Sequence, residues 1–281
     1  MANATRDAAK ELARQIALLL TGMNVSYRLF LDVWPTGFTG FTEVWLVGGD
    51  GTLNFFVNHY PGIVLPMALF KGGTGNDFHW MLYGDMDMEQ QVESLLTSND
   101  VTAVDAGQCN ERLFLNNFGA GFDARITRDL LHRKKKPGKT SYLVSVIKNI
   151  LFYRSFSAHI STNTKGHSKY FMISISNGKR TGGGFYLAPL ADLEDGLLEV
   201  HIISKLHPLR RLRYLPVLEK GRHANRSYPF LQYFQSKSLS FNTDDAVDAH
   251  VDGEYFRAKK FELRCLPKRF FFLTGGAPNG L

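Results

Sequence analysis

Apolar positions recur at helical spacing from the start of the chain. Within residues 8–20, Leu12, Ile16, Leu19 and Leu20 fall on one face, which predicts an amphipathic opening helix. Residues 27–33 and 43–47 are β-type runs, and the second stops abruptly at glycines. Residues 53–60 predict a helix closed by Pro61-Gly62, residues 64–70 a third strand, residues 71–77 another glycine-rich turn and residues 88–96 another helix. Strand, glycine turn and helix in alternation predict a three-layer α/β domain with a parallel sheet.

The texture changes from residue 101. Residues 112–118, 157–161, 169–176, 196–203, 237–242, 246–251 and 260–265 are short β-favouring runs separated by turn residues. Helical stretches over 142–153 and 209–219 interrupt them. This predicts a C-terminal β-sandwich-like domain with added helices, an α/β plus β chain in all. The expected division is 1–106 for the α/β domain, 107–268 for the β-rich domain, and 269–281 for a segment returning to the first. No internal repeat or low-complexity segment interrupts this order.

Composition narrows the classes. A chain of 281 residues with 44% apolar and 21% charged residues has room for two ordinary domains with real cores. Cys109 and Cys265 stand in no metal-ligand or redox spacing, so a reducing, cytoplasmic setting is expected. Early charges (Arg6, Asp7, Lys10, Glu11) exclude a signal peptide, and the longest apolar stretch, 142–153, is broken by Lys148 and too short to span a bilayer. The net charge of +7 gathers in Arg133, Lys134, Lys135, Lys136 and Lys139, in Arg210, Arg211 and Arg213, and in Lys220 and Arg222. Such runs suit an anionic surface, although each alone is also an ordinary solvated face.

The most informative segment is Val44-Trp45-Leu46-Val47-Gly48-Gly49-Asp50-Gly51-Thr52-Leu53-Asn54. A buried strand runs into glycines and then a helix, whose free N–H groups and dipole suit a phosphate. A carboxylate there, Asp50, suits a ligand to bridging Mg²⁺ or a proton-handling group; the plainer alternative is a tight turn with Asp as helix N-cap. A second loop, Gly72-Gly73-Thr74-Gly75-Asn76-Asp77, also follows a strand. Two parallel strands ending this way would bring both loops to one carboxyl edge, with Thr74 and Asn76 facing ribose or phosphate oxygens and Asp77 capping the next helix. Neither loop has the Walker A or GxGxxG spacing.

Gly48-Gly49-Asp50-Gly51-Thr52 together with Gly73-Thr74-Gly75-Asn76-Asp77-Phe78 resembles the paired signature of the diacylglycerol kinase catalytic-domain family, which includes sphingosine kinases and bacterial lipid kinases. The first motif is shared with NAD kinases and phosphofructokinases. Later matches separate these: Asn117-Phe118-Gly119-Ala120-Gly121-Phe122-Asp123-Ala124, Asn177-Gly178, Gly182-Gly183-Gly184-Phe185, Ala188-Pro189, Asp195-Gly196-Leu197-Leu198-Glu199-Val200 and Val251-Asp252-Gly253-Glu254. They follow the family's order over roughly residues 44–260.

The resemblance implies an ATP-dependent lipid kinase. Gly48, Gly49, Asp50, Gly51, Thr52, Leu53 and Asn54 would hold the ATP phosphates, with Gly73, Thr74, Asn76 and Asp77 from the second loop. Glu254 would accept the proton of the lipid hydroxyl, while Asp252 and Asp50 would surround Mg²⁺ with Asp105 as an outer member. Asp252-Gly253 also reads as a hairpin turn. Asp195, with carbonyls of Asp192 and Leu197, is similar to a structural Mg²⁺ site of bacterial members, the alternative being an acidic turn.

Three departures stand out. The family opens with a strand carrying an Asn-Pro-x-Ser-Gly-type loop, whereas this chain starts with the helix expected after it, so that first strand is expected to be missing, either through a truncated start or through its loss in this member. Phe55 replaces a usual glutamate, and Lys71-Gly72 stands where an apolar residue is common.

Partners implied are a lipid substrate at a membrane surface, transient contact with anionic membrane and a second copy in a homodimer, with the protein cytoplasmic and peripheral. Nucleic acid is not expected, because the basic runs lack aromatic interleaving. The rival readings are an NAD-kinase-like enzyme with a soluble substrate, and an inactive nucleotide- or lipid-binding member.

Overall fold

The computed structural model describes residues 1–2, 6–131, 139–161 and 168–276, the side chains of 139–145 excepted. The basic positions Arg133, Lys134, Lys135 and Lys136, and the Lys139 side chain, lie outside the described residues. The chain divides into two compact units, Met1–Val104 with the segment from Lys268, and Asp105–Pro267.

The first unit is an α/β body. Helix α1 (Asp7–Gly22) buries Ala9, Ala13, Ile16, Ala17 and Leu20, the face that the apolar spacing predicts. Strand β1 (Val44–Gly48) pairs in parallel with β2 (Met67–Lys71), from Val44 opposite Met67 to Gly48 opposite Lys71. Both strands are almost wholly buried, as parallel strands covered by helices must be. Helix α2 (Asp50–His59) follows β1, and α3 (Asp77–Tyr83) follows β2. Helix α4 (Met88–Thr97) opens on a capping box between Asp87 and Gln90.

Residues 27–33, expected as a strand, form none. The Phe30 carbonyl accepts from the Ala2 N–H (3.0 Å), and Ala2 makes an isolated parallel bridge to Val47. One paired residue is not a ladder, so the backbone of 27–33 lacks the repeated partners that define a strand.

Strand β3 (Val101–Cys109) carries the chain into the second unit, where it forms a hairpin with β4 (Arg112–Phe114). The remaining elements are β5 (Asn117–Gly121), α5 (Phe122–Leu131), α6 (Lys139–Phe152), β6 (Phe156–Ile160), β7 (Ser168–Ser176), β8 (Leu198–Ser204), α7 (Pro208–Glu219), β9 (Leu231–Ser236), β10 (Ser238–Val251) and β11 (Glu254–Leu273). Strands β11, β10, β5, β7, β8 and β9 are neighbours in that order, with β6 joined to β10 and β7. Pairs β10–β11, β5–β7, β7–β8 and β8–β9 are antiparallel. Beyond the second unit, β11 continues until Phe272 stands parallel to Met67 of β2.

The β-rich core gathers Phe114, Phe118, Phe241 and Phe261, the last two stacked with centroids 4.5 Å apart. Helices α5, α6 and α7 cover a second cluster that includes Phe122, Val146, Ile150 and Phe171. The runs 237–242 and 246–251 are one strand, β10, with an irregularity between Asn242 and Val247. The run 112–118 is instead two strands, since residues 115–117 turn their amides toward a carboxylate described below.

Arg211 leaves the expected basic surface. It is buried, donates to the carbonyls of Leu206, Ile150 and Tyr153, and stacks 4.4 Å over Phe171. Its guanidinium closes the end of α6 rather than facing a partner. Among the described residues, no helix is long and apolar enough to cross a membrane.

Candidate active site

In the first unit the two glycine loops are joined along their backbones. The Gly72 N–H donates to the Gly48 carbonyl (2.9 Å), and a Cβ on Gly49 would stand 2.7 Å from the Gly73 Cα. Gly48 is pressed against the Thr52 side chain, leaving no room for a Cβ. Asn76 adopts a left-handed conformation (φ 53°), and its side chain both accepts from the Gly73 N–H (2.8 Å) and donates to the Gly73 carbonyl (3.2 Å).

The N-cap of α2 is Gly49, not Asp50. Asp50 opens the helix, and its carboxylate crosses to the other loop, accepting from the N–H groups of Asp77 (3.2 Å) and Phe78 (2.9 Å). It therefore caps α3, with a negative charge at that helix's positive end. Leu53 and Asn54 are buried inside α2, while Phe55 is 57% exposed and meets Trp34 edge-on at 5.3 Å.

In the second unit the later motifs converge on residues 115–117. Asp252 and Gly253 form the two-residue turn between β10 and β11, both at positive φ (47° and 88°), as a type I′ hairpin requires. The Asp252 carboxylate accepts from the N–H groups of Leu115 (2.8 Å), Asn116 (2.9 Å) and Asn117 (2.8 Å). Asn177 donates from its side chain to the carbonyls of Asp105 and Leu115 (both 2.9 Å), and its backbone N–H and that of Gly178 donate to Asn116. Thr181 donates to the Asn117 side chain at 3.0 Å. The turn and the hydrogen-bonding carboxylate coexist in Asp252, which holds the motif segments together.

Glu254 is the first residue after the turn and is exposed. Its carboxylate has no hydrogen bond or ion pair among the described residues, so it is open to an incoming group.

Asp105 is fully buried and belongs to the loop at 192–197. Its carboxylate accepts from the Gly196 N–H (2.6 Å), and its own N–H donates to the Leu193 carbonyl (2.7 Å). Within that loop, Asp192 accepts from the Glu194 N–H and Asp195 from the Leu197 N–H, both at 2.9 Å. The Asp195 carboxyl is raised above its ordinary range by burial and by the charges of Asp192 and Asp105. Asp192 and Asp105 lie near enough to Asp195 for their charges to act on it. Among the described residues, however, no three His, Cys, Asp or Glu side chains converge as a metal cluster.

Sequence reasoning assigned no role to His250. Its ring accepts from the Gly253 N–H at Nδ1 (3.3 Å) and lies 3.4 Å from the Asp123 carboxylate at Nε2. It pairs across strands with Gly119, where a Cβ would fall on the Asp123 carboxylate. His250 therefore connects the turn to α5. The motif glycine Gly119 was the only available signal for this packing.

These features define a class of fold: an α/β part bearing paired glycine loops and a β-rich part bearing an Asp-Gly-Glu turn. Residues 4–109 match the diacylglycerol kinase catalytic domain, and residues 116–273 match the YegS C-terminal NAD kinase beta sandwich-like domain. The chain belongs to this lipid-kinase family. A Chromohalobacter salexigens protein named "Probable lipid kinase YegS-like" is 26% identical over 250 residues, covering 86% of this chain and 78% of its own. The crystal structure of a diacylglycerol kinase from Bacillus anthracis superposes with a TM-score of 0.60 at 20% identity, covering 84% of this chain and 77% of the other. An NAD kinase from Archaeoglobus fulgidus in complex with ATP shares the fold at TM-score 0.52 and 11% identity, covering 94% and 89%.

Proposed function

We propose that this protein transfers the γ-phosphoryl group of ATP to the hydroxyl of a lipid. The observation that carries the reading is the Asp252–Gly253 turn, which leaves the Glu254 carboxylate exposed beside a tightly bonded frame. Glu254 takes the proton from the lipid hydroxyl as the oxygen–phosphorus bond forms, the bond from the γ-phosphorus to the β-bridging oxygen breaks, and ADP departs. The glycine loops offer backbone N–H groups and the α2 N-terminus to the ATP phosphates.

Asp252 acts here as an anchor, since its oxygens already accept from three amides. Mg²⁺ would neutralise phosphate charge during transfer, with Asp50 available to it in the first unit. The Asp195 carboxylate, with the backbone carbonyls of Asp192 and Leu197, would hold a structural cation in the 192–197 loop. The protein works in the cytoplasm against an anionic membrane, which exposed Arg210, Arg213, Lys220 and Arg222 would attract.

The test is Mg²⁺-dependent transfer from labelled ATP to diacylglycerol, phosphatidylglycerol and a sphingoid base in mixed micelles, with NAD as the soluble rival. Labelled lipid from wild type, lost in Asp50→Ala and Glu254→Ala, is the expected result. Labelled NADP alone would transfer the protein to the soluble-substrate class, and no product from folded wild type would support an inactive binding protein.

A further inference from the structure

The turn that presents Glu254 is held from two sides. On one side the Asp252 carboxylate takes the amides of residues 115–117. On the other, the Gly253 N–H, one residue before Glu254, donates to Nδ1 of His250 (3.3 Å). No packing fixes Gly253, since a Cβ there would meet nothing within 4 Å. A glycine at positive φ (88°) swings readily, so the direction of Glu254 depends on what holds that amide.

His250 is buried, and its ring joins the turn to α5. It stands opposite Gly119 of β5, and its Nε2 lies 3.4 Å from Oδ2 of Asp123, in the first turn of α5. A glycine is needed for this approach: a Cβ at 119 would fall 1.9 Å from Asp123 Oδ2 and 2.7 Å from His250 Nε2. Asp123 Oδ1 is taken by the Ala124 N–H (2.8 Å). Oδ2 is buried and otherwise without a hydrogen bond among the described residues, so it is left to the ring.

The two contacts make one demand on the imidazole. A nitrogen that accepts from an amide must be bare, and a nitrogen that faces a carboxylate is best protonated. Both conditions are met by a single neutral tautomer, with the proton on Nε2.

We propose that His250 is a positioning residue for phosphoryl transfer: Asp123 keeps its proton on Nε2, which leaves Nδ1 bare to fix the Gly253 amide and so to aim Glu254 at the lipid hydroxyl. This rests on the reading of Glu254 as the proton acceptor.

The experiment measures transfer per folded protein in four variants. In His250→Gln the polar end reaches toward Asp123 and leaves the Gly253 amide unmet, so kcat falls roughly 10- to 100-fold while KM for ATP holds. In His250→Asn the side-chain oxygen takes the place of Nδ1, so kcat recovers to within about three-fold of wild type. In Asp123→Asn the Ala124 N–H keeps the carbonyl oxygen, which turns the NH₂ toward Nε2, forces the other tautomer and lowers kcat roughly ten-fold or more. Asp123→Asn added to His250→Asn costs less than about two-fold, because no imidazole remains to be set. An equal cost of Asp123→Asn in both backgrounds would overturn the proposal, as would equal rates for His250→Asn and His250→Gln. Two readouts need no turnover. Ring ¹⁵N spectra, assigned by difference from His250→Asn, should show Nε2 protonated in wild type, and a proton on Nδ1 would overturn the tautomer. Exchange of the Gly253 amide should be faster in His250→Gln than in His250→Asn. A wild type without transfer but with that exchange pattern would remove the kinase reading and still support the hold of His250 on the turn.

Discussion

Gly49 and Gly73 face each other with no space between their backbones: a Cβ on Gly73 would stand 2.5 Å from the Gly49 Cα. The two glycine motifs are therefore one device. Each needs the other to lack a side chain, independently of any ligand that they hold. Gly73→Ala should lower stability by about 1–3 kcal/mol through overpacking, read as a lower urea midpoint. Gly62, where a Cβ meets nothing within 4 Å, is the control, and Gly62→Ala should change stability by less than about 0.5 kcal/mol. Equal effects would contradict the close packing.

The Asp50 carboxylate joins the same loops by capping α3. Asp50→Ala should cost about 1 kcal/mol, the value of a lost helix cap. Asp50→Asn keeps an acceptor oxygen for the Phe78 amide and should recover at least half of that loss in a denaturant titration. If phosphoryl transfer needs the charge, activity falls in both variants while stability separates them.

Asp252 and Glu254 should behave oppositely, although only Gly253 separates them. Asp252→Ala leaves three amides without their acceptor and should destabilise by about 2–4 kcal/mol. Glu254→Gln touches no internal bond and should stay within about 0.5 kcal/mol of wild type. Its transfer rate should fall by roughly 100-fold or more, the usual size of a lost general base. Comparable unfolding midpoints for the two variants would contradict this division of roles.

His201 sets an acid limit on stability. Burial first, and then neighbouring His223, push its pKa down to about 3. An unfolded chain binds a proton near pH 6.5 where the folded chain does not, so stability falls as pH drops from about 6.5 toward 3. His79, lowered to about 4 by burial, adds in the same direction. From pH 6.5 to 5 each contributes a loss of about 2 kcal/mol at most. His201→Gln should flatten the profile of unfolding free energy against pH, and an unchanged slope would show that His201 is not the group responsible.

Local pattern was enough for much of this protein. The apolar face of α1, the two buried parallel strands, the glycine loops and the Asp-Gly-Glu turn were legible because each depends on residues adjacent in the chain. A strand ending in glycines and a dipeptide that favours positive φ carry their own physics. The family motifs were legible for the same reason.

What local pattern could not decide were partners distant in sequence. Residues 27–33 have strand composition, but a strand exists only where another chain segment pairs along it, and among the described residues the backbone there is met by a single bond, from Ala2 to Phe30. Asp105 looked like an outer member of the catalytic carboxylates, and the fold places it against Gly196, 91 residues away. Arg211 looked like surface charge until the carbonyls of Ile150 and Tyr153 enclosed it. Asp252 was readable as a turn residue or a ligand, and only its three amide partners, more than 130 positions upstream, show what its carboxylate holds. The sequence by itself determined most of the elements and the chemistry available to them. Which charge meets which amide was decided by tertiary structure, because burial leaves a polar group only the partners that folding brings within reach.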